Sequence, residues 1–185
     1  MDIKKPSLPW RYALTPLDLK KVKYIVLHHI KASRATIQDV DTWHKQNGWN
    51  GVGYNYYVRK DGTVYEGRGL NKGAHWSGYN DVSIGIACEG NYETEYGMPQ
   101  VQFESLLGVI KHVKSLLPNP VKVVGHKDLN QTECPGKNFS MENTLKYSAD
   151  PVPAESIDWK KKYEDLLNQY YGMRKAILGI TNKYI

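Results

Sequence analysis

The chain has 185 residues, 41% of them apolar and 24% charged, which is enough for one domain with a sizeable core plus an appendage. A net charge of +6 and a pI near 9.1 suit an anionic partner such as nucleic acid, an anionic membrane or an acidic wall polymer, and equally suit a soluble protein kept apart by its own charge. Two cysteines exclude a disulfide framework, and no run approaches the roughly 20 apolar residues that span a bilayer. No N-terminal basic segment followed by an apolar run is visible, so synthesis in a cytoplasm without a signal peptide is expected.

In chain order, YIVLHH (24–29) is a short β-branched apolar run that reads as a buried strand. In TIQDVDTWHKQNG, Thr36 can cap a helix, and Gly48 sits where a C-terminal glycine belongs. Ile37, Val40, His44 and Asn47 share one face of that helix. YNYYVRKDGTVYEGR reads as a hairpin about Asp61-Gly62. SIGIACEG (83–90) is another apolar strand, with Cys88 expected as a buried thiol. PQVQFESLLGVIKHVKSLLP carries Phe103, Leu106, Leu107, Ile110, Val113 and Leu117 at helical spacing between two prolines. VKVVGH (121–126) is a strand ending at His126. This order predicts an α/β fold, a mixed central sheet flanked by helices, over residues 1–147. Pro151 and Pro153 mark 148–156 as a linker. The last segment, 157–185, reads as a C-terminal helical extension. There Trp159, Tyr163, Leu166, Tyr170, Met173, Ile177, Ile180 and Tyr184 recur at alternating steps of four and three, the a/d pattern of a coiled coil, which makes a homo-oligomer through the tail one expectation.

The loop GHKDLNQTECPG (125–136) puts His126 and Cys134 together in a polar setting, and two ligands do not make a site. His28 ends another strand, and functional groups gather where strands of an α/β sheet end. His28, His126 and Cys134 would give a zinc site of three protein ligands with a fourth position open to water. The alternative for each is a hydrogen-bonded core histidine or a small buried thiol. His29, next to His28, faces the other side of the strand and reads as structural.

YIVLHH, GWNGVGYNYYVRKDGTVYEGR, GAHWSGYNDVSIGIACEGNY and GHKDLNQTECPG, in this order and at these intervals, resemble the zinc-dependent N-acetylmuramoyl-L-alanine amidases. That group includes phage lysozymes and the peptidoglycan recognition proteins. The resemblance covers about residues 20 to 140. It implies one zinc per chain held by His28, His126 and Cys134. It also implies hydrolysis of the amide between N-acetylmuramic acid and L-alanine in bacterial peptidoglycan, with no nucleic acid or membrane insertion involved. Tyr54, after the glycine of the GWxxxGY pattern, matches the family's catalytic tyrosine. His75, with Trp76 and Asn80, resembles the substrate groove, and His44 matches a histidine near it. Two positions depart from the common pattern. Thr132 stands where many members have lysine, and can donate a hydrogen bond without bringing a charge. Ala87 stands where one branch has glutamate, which leaves Glu89 as a substitute base or as an exposed strand-end charge. Among relatives the phage or prophage endolysins fit best, acting on the wall after release by a separate membrane-permeabilising protein. A recognition module that binds without cutting is the second reading, and a structural zinc domain the third.

Overall fold

The computed structural model describes residues 2–149 together with 168–170 and 173. The chain divides into two units, 1–149 and 150–185. The proline linker and nearly all of the heptad-spaced tail lie outside the described residues.

Unit 1 is built on a mixed six-stranded sheet. Its strands are β1 (Ile3–Lys4), β2 (Tyr24–His29), β3 (Tyr56–Val58), β4 (Val64–Glu66), β5 (Ser83–Cys88) and β6 (Lys122–Gly125), in the order β1-β4-β3-β5-β2-β6. The β3–β4 pair is antiparallel, and the other four pairings are parallel. β2 and β5 are neighbouring interior strands with almost every residue buried, as their near-continuous apolar sequences require of strands covered on both faces.

Alternation assigns the two faces. Ile25, Leu27, Ile84, Ile86 and Val58 point to one side, where Leu106, Val109, Ile110 and Val113 of helix α2 (Gln100–Leu116) cover them. Tyr57 and Ala87 point to the other, against Ile37 and Val40 of helix α1 (Ile37–Gln46). α1 starts on a complete capping box. The Thr36 hydroxyl accepts from Asp39 N at 3.1 Å, and the Asp39 carboxylate accepts from Thr36 N at 2.8 Å. Gly48 follows its end at φ +84°. A third helix, α3 (Met141–Ser148), packs on α2 and β6, and the sequence reading assigned it no element. The hairpin turns through 59–63. Gly62 donates to Arg59 O at 3.0 Å and has φ +84°, so the loop is a tight turn closed by a left-handed glycine rather than a two-residue connection.

Candidate metal centre and groove

The register of the central strands assembles the site. β2 and β6 run parallel with Leu27 opposite Gly125, so the next residues, His28 and His126, emerge side by side at the carboxyl ends. Their ring centroids are 4.6 Å apart. The chain then turns back. Asp128 Oδ2 accepts from Gly125 N at 2.8 Å, and Lys127 N donates to Cys134 O at 2.7 Å, which closes the loop and returns Cys134 beneath the two rings. One ligand atom from each of His28, His126 and Cys134 lies within 4.8 Å of the others. His28 Nδ1 and Cys134 Sγ are 3.7 Å apart. Two ligands of one tetrahedral zinc, at about 2.0 and 2.3 Å from it, stand about 3.5 Å from each other. His126 Nε2 is buried and has no hydrogen-bond partner.

The electrostatics of these donors suit a cation. Burial holds the His28 imidazole well below its usual 6.5, with His75 and His126 adding to the effect, and burial lowers His126 too. Both rings therefore offer lone pairs at neutral pH. Burial pushes the Cys134 thiol up to about 11, so it keeps its proton until a positive charge arrives.

His29 faces away from the three donors. Its Nδ1 accepts from Tyr92 N at 3.1 Å, on the α2 side of the sheet. Cys88 is fully buried in the core on that same side.

A groove of about 500 Å³, lined by Trp49, Arg68, His75, Trp76, Asn80 and His126, meets the donor cluster at His126. Tyr54 packs its ring 5.2 Å from that of His28 and 5.4 Å from that of His44. Burial, with Cys134 close by, raises the pKa of its hydroxyl, which therefore stays a donor. His44 Nδ1 accepts from Gly53 N at 2.8 Å, which holds the loop that carries Tyr54. A neutral imidazole that accepts at Nδ1 carries its hydrogen on Nε2. Burial drives the His44 pKa to about 4, so the ring is neutral. The Thr132 oxygen accepts from Cys134 N at 3.3 Å and leaves its own O–H to donate.

Two of the sequence-derived residues carry extra duties. Asn80 Oδ1 accepts from both His75 N and Trp76 N at 3.0 Å, so it shapes the groove wall as well as lining it. Glu89 is only 2% exposed, not the solvent-facing strand-end charge that the sequence allowed. Its carboxylate accepts from Ala35 N and Lys60 N at 2.8 Å each and pairs with Arg59 at 3.3 Å, tying three segments together.

Sequence reasoning missed Arg68, Asp41 and Ser83. Arg68 Nε donates to Val52 O at 2.7 Å beneath the groove, and its guanidinium lies over Trp10. Asp41 is buried and accepts from Val52 N at 2.8 Å. No local pattern encodes these contacts, which form only once the loops around the groove have folded back on one another.

Comparison with known proteins agrees with this architecture. A family model described as N-acetylmuramoyl-L-alanine amidase matches residues 18–137. Peptidoglycan-recognition protein SC2 of Drosophila melanogaster is 36% identical over 130 residues, which are 64% of this chain and 70% of that protein. An endolysin of a Klebsiella phage is 32% identical over 117 residues, covering 58% of this chain and 76% of the endolysin. Among solved structures, the endolysin amidase LysCS from Clostridium intestinale superposes with a TM-score of 0.71 at 37% identity, covering 77% of this chain and 92% of that one. Drosophila PGRP-LB superposes with a TM-score of 0.67 at 26% identity, covering 80% and 93%.

Proposed function

The chain belongs to the N-acetylmuramoyl-L-alanine amidase family, and from that premise we propose that it is a zinc-dependent endolysin that cuts the amide between N-acetylmuramic acid and L-alanine in peptidoglycan. The observation that carries this reading is the meeting of two imidazoles and a thiol within 4.8 Å, one of which, His126, lines an adjoining groove walled by tryptophans. Three protein donors with no fourth among the described residues match a catalytic rather than a structural zinc site.

Zinc bound there supplies a Lewis acid for the amide carbonyl and brings the pKa of a bound water near 7. The chain's own residues do the rest. Trp49, half-exposed, offers a flat apolar wall against which sugar rings and the lactyl-peptide stem can lie, and Trp76, buried and stacked on Tyr79, stiffens the groove beside it. Tyr54, still protonated, donates to the oxygen that gains charge as the carbonyl carbon becomes tetrahedral. His44 presents its Nε2–H beside Tyr54, and Thr132 presents its hydroxyl beside Cys134. The net charge of +6 favours approach to an anionic wall.

Digestion of purified peptidoglycan tests the proposal. New free L-alanine amino groups, no new reducing sugar ends, and loss of activity in chelator with recovery on adding zinc are expected. New reducing ends would mean a glycosidase. Muropeptide binding with no new ends of either kind would favour the recognition-module reading, to which the relationship with peptidoglycan-recognition protein SC2 lends weight.

A further inference from the structure

His75 lines the groove, yet both of its ring nitrogens are turned to buried partners. Its Nδ1 lies 3.1 Å from His28 Nε2, and its Nε2 lies 3.4 Å from Ser83 Oγ. Ser83 Oγ in turn donates to Tyr79 O at 2.7 Å. We propose that His75 is a positioning residue that fixes the tautomer and the aim of His28, so that His28 Nδ1 is always the lone pair offered to the metal; this rests on the zinc-site reading above.

The hydrogens set the direction of the relay. A carbonyl oxygen can only accept, so the Ser83 hydrogen is committed to Tyr79 O. His75 Nε2 then faces two acceptors on Ser83, its hydroxyl oxygen at 3.4 Å and its backbone carbonyl, so the His75 hydrogen sits on Nε2. A neutral imidazole carries one hydrogen, so His75 Nδ1 is a lone pair and must accept. Among the described residues, the hydrogen that faces it is that of His28 Nε2. His28 Nδ1 is therefore left bare, and it is the nitrogen 3.7 Å from Cys134 Sγ. With a backbone carbonyl at its end the relay has a single sense. Metal-bound histidines commonly depend on a partner of this kind at the second nitrogen.

The fold is built around this ring. His28, His75 and Ser83 are all buried. A Cβ on Gly85 would stand 2.5 Å from His75 Cδ2 and Cγ, and one on Gly73 would stand 2.4 Å from Cδ2. Two glycines on separate segments thus open the slot the imidazole fills. Asn80 clamps the backbone of His75 from the other end.

The test uses readouts other than turnover. In the metal-free chain, long-range proton–nitrogen spectra of the histidine rings should show His28 and His75 both as Nε2–H tautomers. An Nδ1–H form of either overturns the proposal. Zinc affinity by chelator competition should fall roughly 10- to 100-fold in His75→Leu. It should recover most of that loss in His75→Asn, whose side-chain oxygen can stand in for Nδ1. Cobalt substituted for zinc should give ligand-field bands that move in His75→Leu and return in His75→Asn. Undiminished affinity in His75→Leu, or equal losses in both variants, would mean that His75 only packs. Should His75→Leu not fold, the ring spectra of the unaltered chain decide, since an Nδ1–H form of either His28 or His75 overturns the proposal. An unaltered chain that binds no zinc would instead sink the zinc-site reading itself, a result distinguishable from all of these.

Discussion

Replacing Tyr54 by phenylalanine removes one oxygen and leaves the ring that packs against His28 and His44. If the hydroxyl serves the developing oxyanion, turnover should fall by roughly 10²–10³, with zinc content unchanged. A rate near that of the unaltered chain would return Tyr54 to a packing role. The proposed metal ligands should respond in the opposite way. His28→Ala, His126→Ala and Cys134→Ala should each lose zinc, whereas His29→Ala should keep it, because the His29 ring lies on the other face of β2 against Tyr92. Metal retained in Cys134→Ala would overturn the ligand set. This contrast between adjacent histidines was legible in the sequence, since neighbours in a strand face opposite ways. The tasks of Glu89 and His75 were not. Their partners at Ala35, Lys60 and Arg59 for the one, and at His28 and Ser83 for the other, come from segments that only the fold brings near.

Helix α1 and the loop after it form the element that carries Tyr54. Asp41 couples the two, accepting from Val52 N at 2.8 Å while Lys45 Nζ pairs with its other oxygen at 2.6 Å. The loop comes so close that a Cβ on Gly51 would stand 2.6 Å from Asp41 Oδ1, and the φ of +101° at Gly51 already favours glycine. Asp41→Ala leaves a buried N–H unpaired and should cost about 2 kcal/mol, as read from urea unfolding. Turnover should fall with it while zinc affinity holds, because the proposed ligands stand on β2 and on the segment that follows β6. Equal losses of turnover and of zinc would mean that α1 supports the metal centre as well. At this scale the sequence was most informative for long or strongly patterned elements. α1, α2, β2 and β5 all follow from their caps and periodicities. α3 did not, for it is only eight residues long and buries only Thr144. Strand order also stayed hidden, since β5 lies between β2 and β3 through pairings that no local pattern encodes.

Across the whole molecule, buried histidines make the metal-free protein sensitive to acid. His75 and His44 fall from 6.5 to about 3 and about 4, and His28 and His126 are also lowered, in each case chiefly by burial. Their native pKa values lie below the unfolded ones, so between about pH 6.5 and 4 the unfolded chain holds protons that the native chain refuses. Stability is therefore fully present above 6.5 and declines as the pH falls through this window. The urea midpoint of chelator-stripped protein should be lower at pH 5 than at pH 7, and equal midpoints would contradict the shifts. Oligomeric state is the other whole-molecule property at stake, and it rests on the tail. Eight residues from Trp159 to Tyr184 keep the spacing 4, 3, 4, 3, 4, 3, 4. Of these, Tyr170 and Met173 are described; both are helical, and they are 54% and 61% exposed. Gly172 and Gly179 each cost a helix about 1 kcal/mol against alanine, so a helix here needs a partner for its apolar stripe. Tyrosine and tryptophan at core positions are bulky for a tight two-stranded coil, but an unbroken repeat over almost four heptads favours a second copy of the same segment. Light scattering should give a dimer or larger species for the whole chain and a monomer for a version ending at Asp150. Monomers in both would end the self-association reading and direct the search to a surface of the catalytic unit.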